Sequence, residues 1–524
     1  MKLFSPSAAL VAALALAALP AGAPRAQVRL PALGESVSDD VSIGAERRLG
    51  EQVMRLVRRD DAYLDDPLLL DYVTSLWTPL VAAARRRGDI GQDIDTAFAW
   101  ESFLVRDRAV NAFALPGGYV GVYLGLIAMT GSRDEIASVL AHELSHVTQR
   151  HIARNMVNSS RQSLVGMAAS RPTIIAASRA GSSDAAQAAV MGGQAAMIQG
   201  QLNFSRDMER EADRIGWNVF TGAGYAPEGV VQMFEKLDQA NRLTDNNAYP
   251  YLRSHPLTIE RIGEARARVD AAPRRVAPPP GGELEHALMR ARSRVLMDSS
   301  VGGLRRLQAS EAPANATPAD RLQSLYASAF ASLVLREPAR AQVPLESALA
   351  LVNAGPQDDT RARQVVQLLA AQWHLARGEP ARAVALLEAD ASASRPRLLL
   401  RAQASLDAAR AGAGQDDLRR QTETLQAWVA EHRTDALAWS QLAQMAQALG
   451  LRMRAVRAEA ESRAALGDIA GALDRLRAGQ RLARSGEAPD FIETSIIDAR
   501  VRELEAQRRQ LAAEARENGR GQPE

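Results

Sequence analysis

Two histidines four residues apart enclose a glutamate in His142-Glu143-Leu144-Ser145-His146. At about 100° per residue a helix displaces positions four apart by only about 40°, so both imidazoles leave one face and can hold one metal ion. Glu143, beside His142, can approach a water on that metal without being a ligand, which is the arrangement metal-assisted hydrolysis needs. The 524 residues contain no cysteine, so every other ligand has to be His, Asp or Glu, and thiol catalysis, zinc ribbons and disulfide frameworks are excluded. When no third histidine follows such a motif, the usual partner is a carboxylate from another element. Glu209-Arg210-Glu211-Ala212-Asp213 offers Glu209 or Glu211, which lie about 200° apart on a helix, so only one of them can face the metal. Asp213, one turn beyond Glu209, is placed to accept a hydrogen bond from a ligand imidazole and fix its tautomer. An open fourth position would let the metal draw the pKa of a water toward about 7, with Glu143 taking its proton and passing it to the leaving amine.

These side chains need elements to hold them. Ser132-Arg133-Asp134-Glu135 has the form of a capping box, so a helix opens there and buries Ile136, Val139, Leu140, Leu144 and Val147. On a continuous helix His151, five residues past His146, turns away from the shared face, which makes it a structural or supporting residue rather than a ligand. Upstream, Thr96 to Val105 reads as a strand, and Asn111 to Val122 reads as a second strand region broken by Pro116-Gly117-Gly118. A strand beside the metal could hold an extended peptide through main-chain hydrogen bonds, and a plain core hairpin is the equal alternative. Residues 158–201, rich in Ala, Ser, Gly and Met, read equally as a lid over the site or as a pair of short, loosely ordered helices.

The composition, 47% hydrophobic and 24% charged, is that of a globular chain, and 63 basic against 61 acidic residues give no reason to expect a nucleic-acid groove. Met1 and Lys2, the apolar stretch Ala8 to Leu19, and the small residues up to Ala26 have the order of a secretory signal over residues 1–26, too short to anchor in a bilayer. No run of eighteen apolar residues follows it, so the mature chain is expected to work outside the cytoplasm without a transmembrane anchor. The proline-rich residues 271–282 mark a linker between a mixed half, 44–269, and a helical half, 283–515, with a flexible tail at 516–524. In the helical half, Glu337-Pro338-Ala339-Arg340-Ala341 recurs as Glu379-Pro380-Ala381-Arg382-Ala383, and Gly467-Asp468 sits at a similar place between two helices. This pattern of helix, turn and helix resembles degenerate tetratricopeptide hairpins, with Trp373 and Trp439 on first helices; an ordinary helical bundle is the plainer alternative. His286, His374 and His432 of this half are assigned no chemistry.

NAFALPGGYVGVYLGL, SVLAHELSHVTQRH, EREAD and SHPLTIERI, in that order, resemble the peptidase family that includes HtpX and the CAAX prenyl proteases. The resemblance implies a zincin-type domain with a small sheet, hence an α+β, mostly helical fold, with one zinc ion per chain as its cofactor. It assigns the third ligand to Glu209 rather than Glu211. It also makes His255, of Ser254-His255-Pro256, a possible fourth ligand that keeps the enzyme latent; a histidine before proline sits in a non-helical turn from which it could swing. A signal segment, a soluble protease half and helical repeats together resemble the soluble, periplasmic branch of that family. That branch degrades or assists outer-membrane β-barrel proteins stalled in assembly, beside the barrel-assembly machinery, so peripheral association with the outer membrane is an added expectation. The expected function is therefore an exported zinc metalloendopeptidase acting on misfolded envelope proteins. Its alternative is an assembly chaperone or adaptor that binds through the helical array while its metal site stays latent.

Overall fold

The computed structural model describes residues 41–156, 206–243, 250–272, 282–355, 359–389, 394–485 and 490–520. The expected signal segment, the possible lid at 158–201 and residues 273–281 of the expected linker lie outside the described residues.

Helix α1 (Ile43–Val57) begins where the Ser42 hydroxyl accepts the Ala45 N–H, and β1 (Tyr63–Leu64) follows it. Helix α2 (Pro67–Arg87) has Asp66 as its cap, proline at its first position and Gly88 in the left-handed region at its end. Among the described residues α2 is the one helix long and apolar enough to cross a membrane by length and composition. Here Leu69, Val73, Leu76 and Leu80 bury it in the core. Next come α3 (Gln92–Ala97), β2 (Glu101–Val105), β3 (Ala112–Leu115), β4 (Tyr119–Tyr123) and α4 (Leu124–Met129).

The four strands form one sheet in the order β1-β2-β4-β3, with β2 and β4 parallel and the other neighbours antiparallel, so β1 and β3 are its edges. Leu115 opposite Tyr119 closes the β3–β4 hairpin, and Gly117 and Gly118 turn it at φ +76° and +87°. The strand expected from Thr96 is shorter than the sequence suggests. Asp93 and Asp95 favour a first helical turn, and the indole N–H of Trp100 reaches the Asp95 carbonyl at 3.2 Å. Extended pairing starts only at Glu101, where β4 offers a partner.

Helices α5 (Arg133–Thr148), α6 (Arg206–Gly222), α7 (Glu228–Leu243), α8 (Pro250–Ser254) and α9 (Ile259–Ala271) complete the mixed half. The array comprises α10 (Glu283–Met297), α11 (Val301–Gln308), α12 (Pro318–Val334), α13 (Pro338–Ala354), α14 (Thr360–Ala376), α15 (Pro380–Glu388), α16 (Arg395–Arg410), α17 (Gln415–Glu431), α18 (Ala436–Ala448), α19 (Arg452–Ala465), α20 (Ile469–Arg484) and α21 (Phe491–Arg520). The recurring Glu-Pro pairs place proline at the first position of α13 and α15. Helix α21 runs to Arg520, so the first residues of the expected tail are helical.

The proline-rich segment does not separate two cores. One cluster of buried apolar side chains runs from Leu64 through Leu144 and Leu288 to Ala404. The start of α2 is also gripped by arginines of the array. Asp66 pairs with Arg292 at 2.7 Å, Asp65 with Arg395 at 2.7 Å and Asp71 with Arg361 at 2.9 Å. His286 of α10 sits between them. Its Nε2 lies 3.0 Å from the Thr130 carbonyl, so that nitrogen must carry the proton, and Nδ1 accepts from the Tyr72 hydroxyl at 2.6 Å. The neutral ring satisfies both partners, and burial lowers its pKa from 6.5 to about 4.

A depressed folded-state pKa gives stability that is complete above about 6.5 and fades as pH falls toward 4. Between about pH 7.5 and pH 5, His286 should therefore cost the chain about 2 kcal/mol that a His286→Gln variant does not lose. Urea unfolding of both proteins at the two pH values measures it, and equal losses would contradict the assignment.

Candidate metal centre

Helix α5 starts as the sequence suggests, with the Ser132 hydroxyl accepting the Glu135 N–H at 3.2 Å. The box is not reciprocal. Glu135 turns instead to the Gly131 N–H and to Lys236 Nζ, each at 2.6 Å. Ile136, Val139, Leu140, Leu144 and Val147 are all buried, and so are His142, Glu143 and His146 on the remaining face. That face is covered by α6. Ala212 is fully buried, and a Cβ added at Gly216, one turn on, would lie 3.1 Å from the Ala141 carbonyl. Two small residues thus let α6 run directly on α5, which carries Glu209 and Asp213 to the histidines.

His142 Nε2 and His146 Nε2 lie 3.0 Å apart, and His255 Nδ1 lies 3.4 Å from the former and 2.9 Å from Glu209 Oε1. Four donor atoms, one each from His142, His146, Glu209 and His255, fall within 4.8 Å of one another. Ligands at zinc-like bond lengths in a tetrahedron stand about 3.3 Å apart, so this spacing fits a divalent cation at the centre. The chemistry fits as well, because buried imidazole nitrogens crowded against one carboxylate need a cation to share their lone pairs. His142 turns its other nitrogen to Asp213 Oδ1 at 3.0 Å, where the proton on Nδ1 leaves Nε2 free to bind metal. Burial works against the charged ring of His142, but its bonds to Asp213 and Glu209 outweigh that and push its pKa up to about 10. Burial also works against ionised Glu209, and the neighbouring His255 and His142 nevertheless hold it below the usual carboxylate range.

Glu143 faces the same space. Its Oε2 accepts the N–H of Ala114, on edge strand β3, at 3.0 Å. Its Oε1 accepts no hydrogen bond among the described residues. Burial raises its pKa, which suits a carboxylate that must both take a proton and return it.

Sequence reasoning missed Arg261. Its Nε and Nη2 clasp both oxygens of Asp213 at 2.7 and 2.8 Å, while Nη1 reaches Glu209 Oε2 at 2.9 Å and the Pro256 carbonyl at 2.8 Å. One guanidinium thus ties together the two carboxylates of α6 and the turn bearing His255. In the sequence it stands five positions after Pro256, behind the Thr258 cap of α9 and within the SHPLTIERI string.

His151 stands outside the four-donor group, as expected, but it does not turn away from His146. Helix α5 ends at Thr148, and Arg150 takes φ +51°, held there by Glu46 at 2.9 Å and the Val41 carbonyl at 2.6 Å. That break folds His151 back, so its Nδ1 lies 2.8 Å from His146 Nδ1 and its Nε2 lies 3.0 Å from Glu211 Oε2. Glu211 faces this pair rather than the four-donor group.

Residues 88–269 match the model of peptidase family M48. The beta-barrel assembly-enhancing protease of Escherichia coli (strain K12) is 35% identical over 242 residues, 46% of this chain and 47% of that protein. A Vibrio cholerae serotype O1 protein whose name places it in the same group is 36% identical over 293 residues, 56% of this chain and 57% of that protein. The mitochondrial metalloendopeptidase OMA1 of Schizosaccharomyces pombe is 30% identical over 235 residues, 43% of this chain and 61% of that protein. The matches thus span about half the length of the two bacterial relatives.

Replacing Arg261 by methionine should take from the buried carboxylates of Glu209 and Asp213 the guanidinium they share, leaving them to their histidine partners, and destabilise the metal-free chain by about 3 kcal/mol. Arg261→Lys, which keeps the charge but not the fork, should recover only part of it. Denaturant unfolding in chelator reads both values, and a loss under about 1 kcal/mol for the methionine variant would refute the role given to the ion pairs.

Proposed function

We propose, from the premise that residues 88–269 form a peptidase family M48 domain, that this chain is an exported zinc metalloendopeptidase that cleaves misfolded or stalled outer-membrane β-barrel proteins. The observation that carries the reading is the meeting of His142, His146 and Glu209 around one point, with the unbonded oxygen of Glu143 beside it.

In this reading His142, His146 and Glu209 hold the zinc, which when bound supplies the Lewis acidity that makes water nucleophilic and polarises the scissile carbonyl. Glu143 takes the proton from the attacking water and returns it to the leaving amine. The Ala114 N–H holds the other Glu143 oxygen, so the carboxylate is aimed before substrate arrives. Edge strand β3 then lies where an extended peptide could pair with it through its backbone, giving weak sequence preference. Asp213 keeps the tautomer of His142 that ligates through Nε2. His255 occupies the remaining position in the resting enzyme and leaves no place for water. The link to β-barrel assembly is supported by the names of the bacterial relatives; the outer-membrane substrates, the periplasmic location and the helical array as the part that reaches substrates or the barrel-assembly machinery belong to the proposal.

The closeness of His255 to both His142 and Glu209, all three buried, favours a second reading, an assembly chaperone or adaptor whose site is mostly latent. Glu143→Gln separates the two. It should keep one zinc per chain and reduce cleavage of casein or an unfolded barrel protein by at least about a thousandfold, while partner binding survives. Undiminished cleavage would remove Glu143 from the chemistry. A His255→Ala variant should show basal proteolysis several-fold above the parent, with zinc retained, and equal or lower activity would remove the latency.

A further inference from the structure

The geometry points to His151 as a positioning residue that, backed by Glu211, fixes the tautomer and ring plane of His146 as a metal ligand. This rests on the metallopeptidase reading and adds to it a support for the second histidine, separate from the Asp213 support of the first.

The direction of the hydrogen bonds follows from the roles of the ring nitrogens. His146 presents Nε2 to the donor group, 3.0 Å from His142 Nε2. A ring that ligates through Nε2 carries its proton on Nδ1 and must donate it. The atom 2.8 Å from that Nδ1 is His151 Nδ1, which therefore accepts. The proton of neutral His151 then sits on Nε2 and is donated to Glu211 Oε2 at 3.0 Å. Arg154 Nη1 donates to the same carboxylate oxygen at 2.8 Å and holds it in place. Every ring nitrogen in this chain has one consistent role, and the series ends on an anion, which makes the ligand nitrogen a better donor to a cation.

The surroundings support positioning rather than ligation. His146 and His151 are both fully buried, with ring centroids 4.9 Å apart and planes at 72°, so the contact is edge-on and directional. His151 faces the nitrogen of His146 that points away from the metal centre, and it is not among the four converging donors. The left-handed residue Arg150, a costly conformation for a side chain larger than glycine, is what turns the backbone so that this contact forms.

The test uses the full chain loaded with zinc. Release of zinc to an excess of a chromogenic chelator is timed for the parent, His151→Phe, His151→Gln and Glu211→Gln, beside thermal unfolding of each metal-free protein. His151→Phe keeps a ring but no nitrogen and should release zinc about ten- to a hundredfold faster. His151→Gln, which restores a polar amide, should recover part of that, and Glu211→Gln should give a smaller acceleration. A purely structural role would lower the unfolding temperature of the metal-free protein and leave zinc release unchanged. Release within about twofold of the parent for His151→Phe overturns the inference, and if that variant does not fold, the same result for Glu211→Gln does so. A parent that takes up no zinc overturns the metallopeptidase reading itself, and this inference with it.

Discussion

Three carboxylates and three imidazoles share a buried space, and ionised groups are tolerated there only when each meets a counter-charge or a proton donor. Arg261 meets that constraint for Glu209 and Asp213 at once, and the N–H of Ala114 meets it for one oxygen of Glu143. The rest of the mixed half can be read as the means of bringing these partners together. Ala212 and Gly216 let two helices touch backbone to backbone, the Thr258 cap starts the helix that delivers Arg261, and the Pro116-Gly117-Gly118 turn sets β3 against α5. A metal ion in such a place inherits ligands that are already oriented.

The parts of this arrangement legible in the sequence are those governed by local periodicity. His142 and His146 fall on one face because a helix repeats every 3.6 residues, and the Ser132 cap shows where that helix begins. The hairpin at Gly117 and Gly118 was legible for a similar reason, since left-handed turns call for particular residues. Spacing alone could not choose between Glu209 and Glu211, because that choice depends on which way α6 rolls against α5, a matter of Ala212 and Gly216 meeting a neighbouring backbone. The supporting role expected of His151 stands, but its turn toward His146 was not legible, because one residue, Arg150, leaves the helical region, and its reasons for doing so, Glu46 and Val41, lie about a hundred residues away. Arg261 lies inside the SHPLTIERI string, but its role was not legible for the same kind of reason, since nothing local shows that it reaches the carboxylates of α6.

The division between the two halves was drawn from proline content, yet the packing reads differently. The acidic start of α2 is held by Arg292, Arg361 and Arg395, and His286 bridges Tyr72 to the end of α4. An array fixed in this way has a set orientation toward the metal centre.

That shared core has an end. The large apolar cluster stops at Ala404, and beyond it two smaller clusters, one built around Leu406, Leu425 and Leu442 and the other around Leu473, Leu476 and Ile497, stand apart from it. In a stack of repeats each unit leans only on its neighbours, so cohesion weakens outward from the anchored base. Melting should accordingly proceed like fraying rope, with the outermost hairpins loosening first while the region around α2 stays closed.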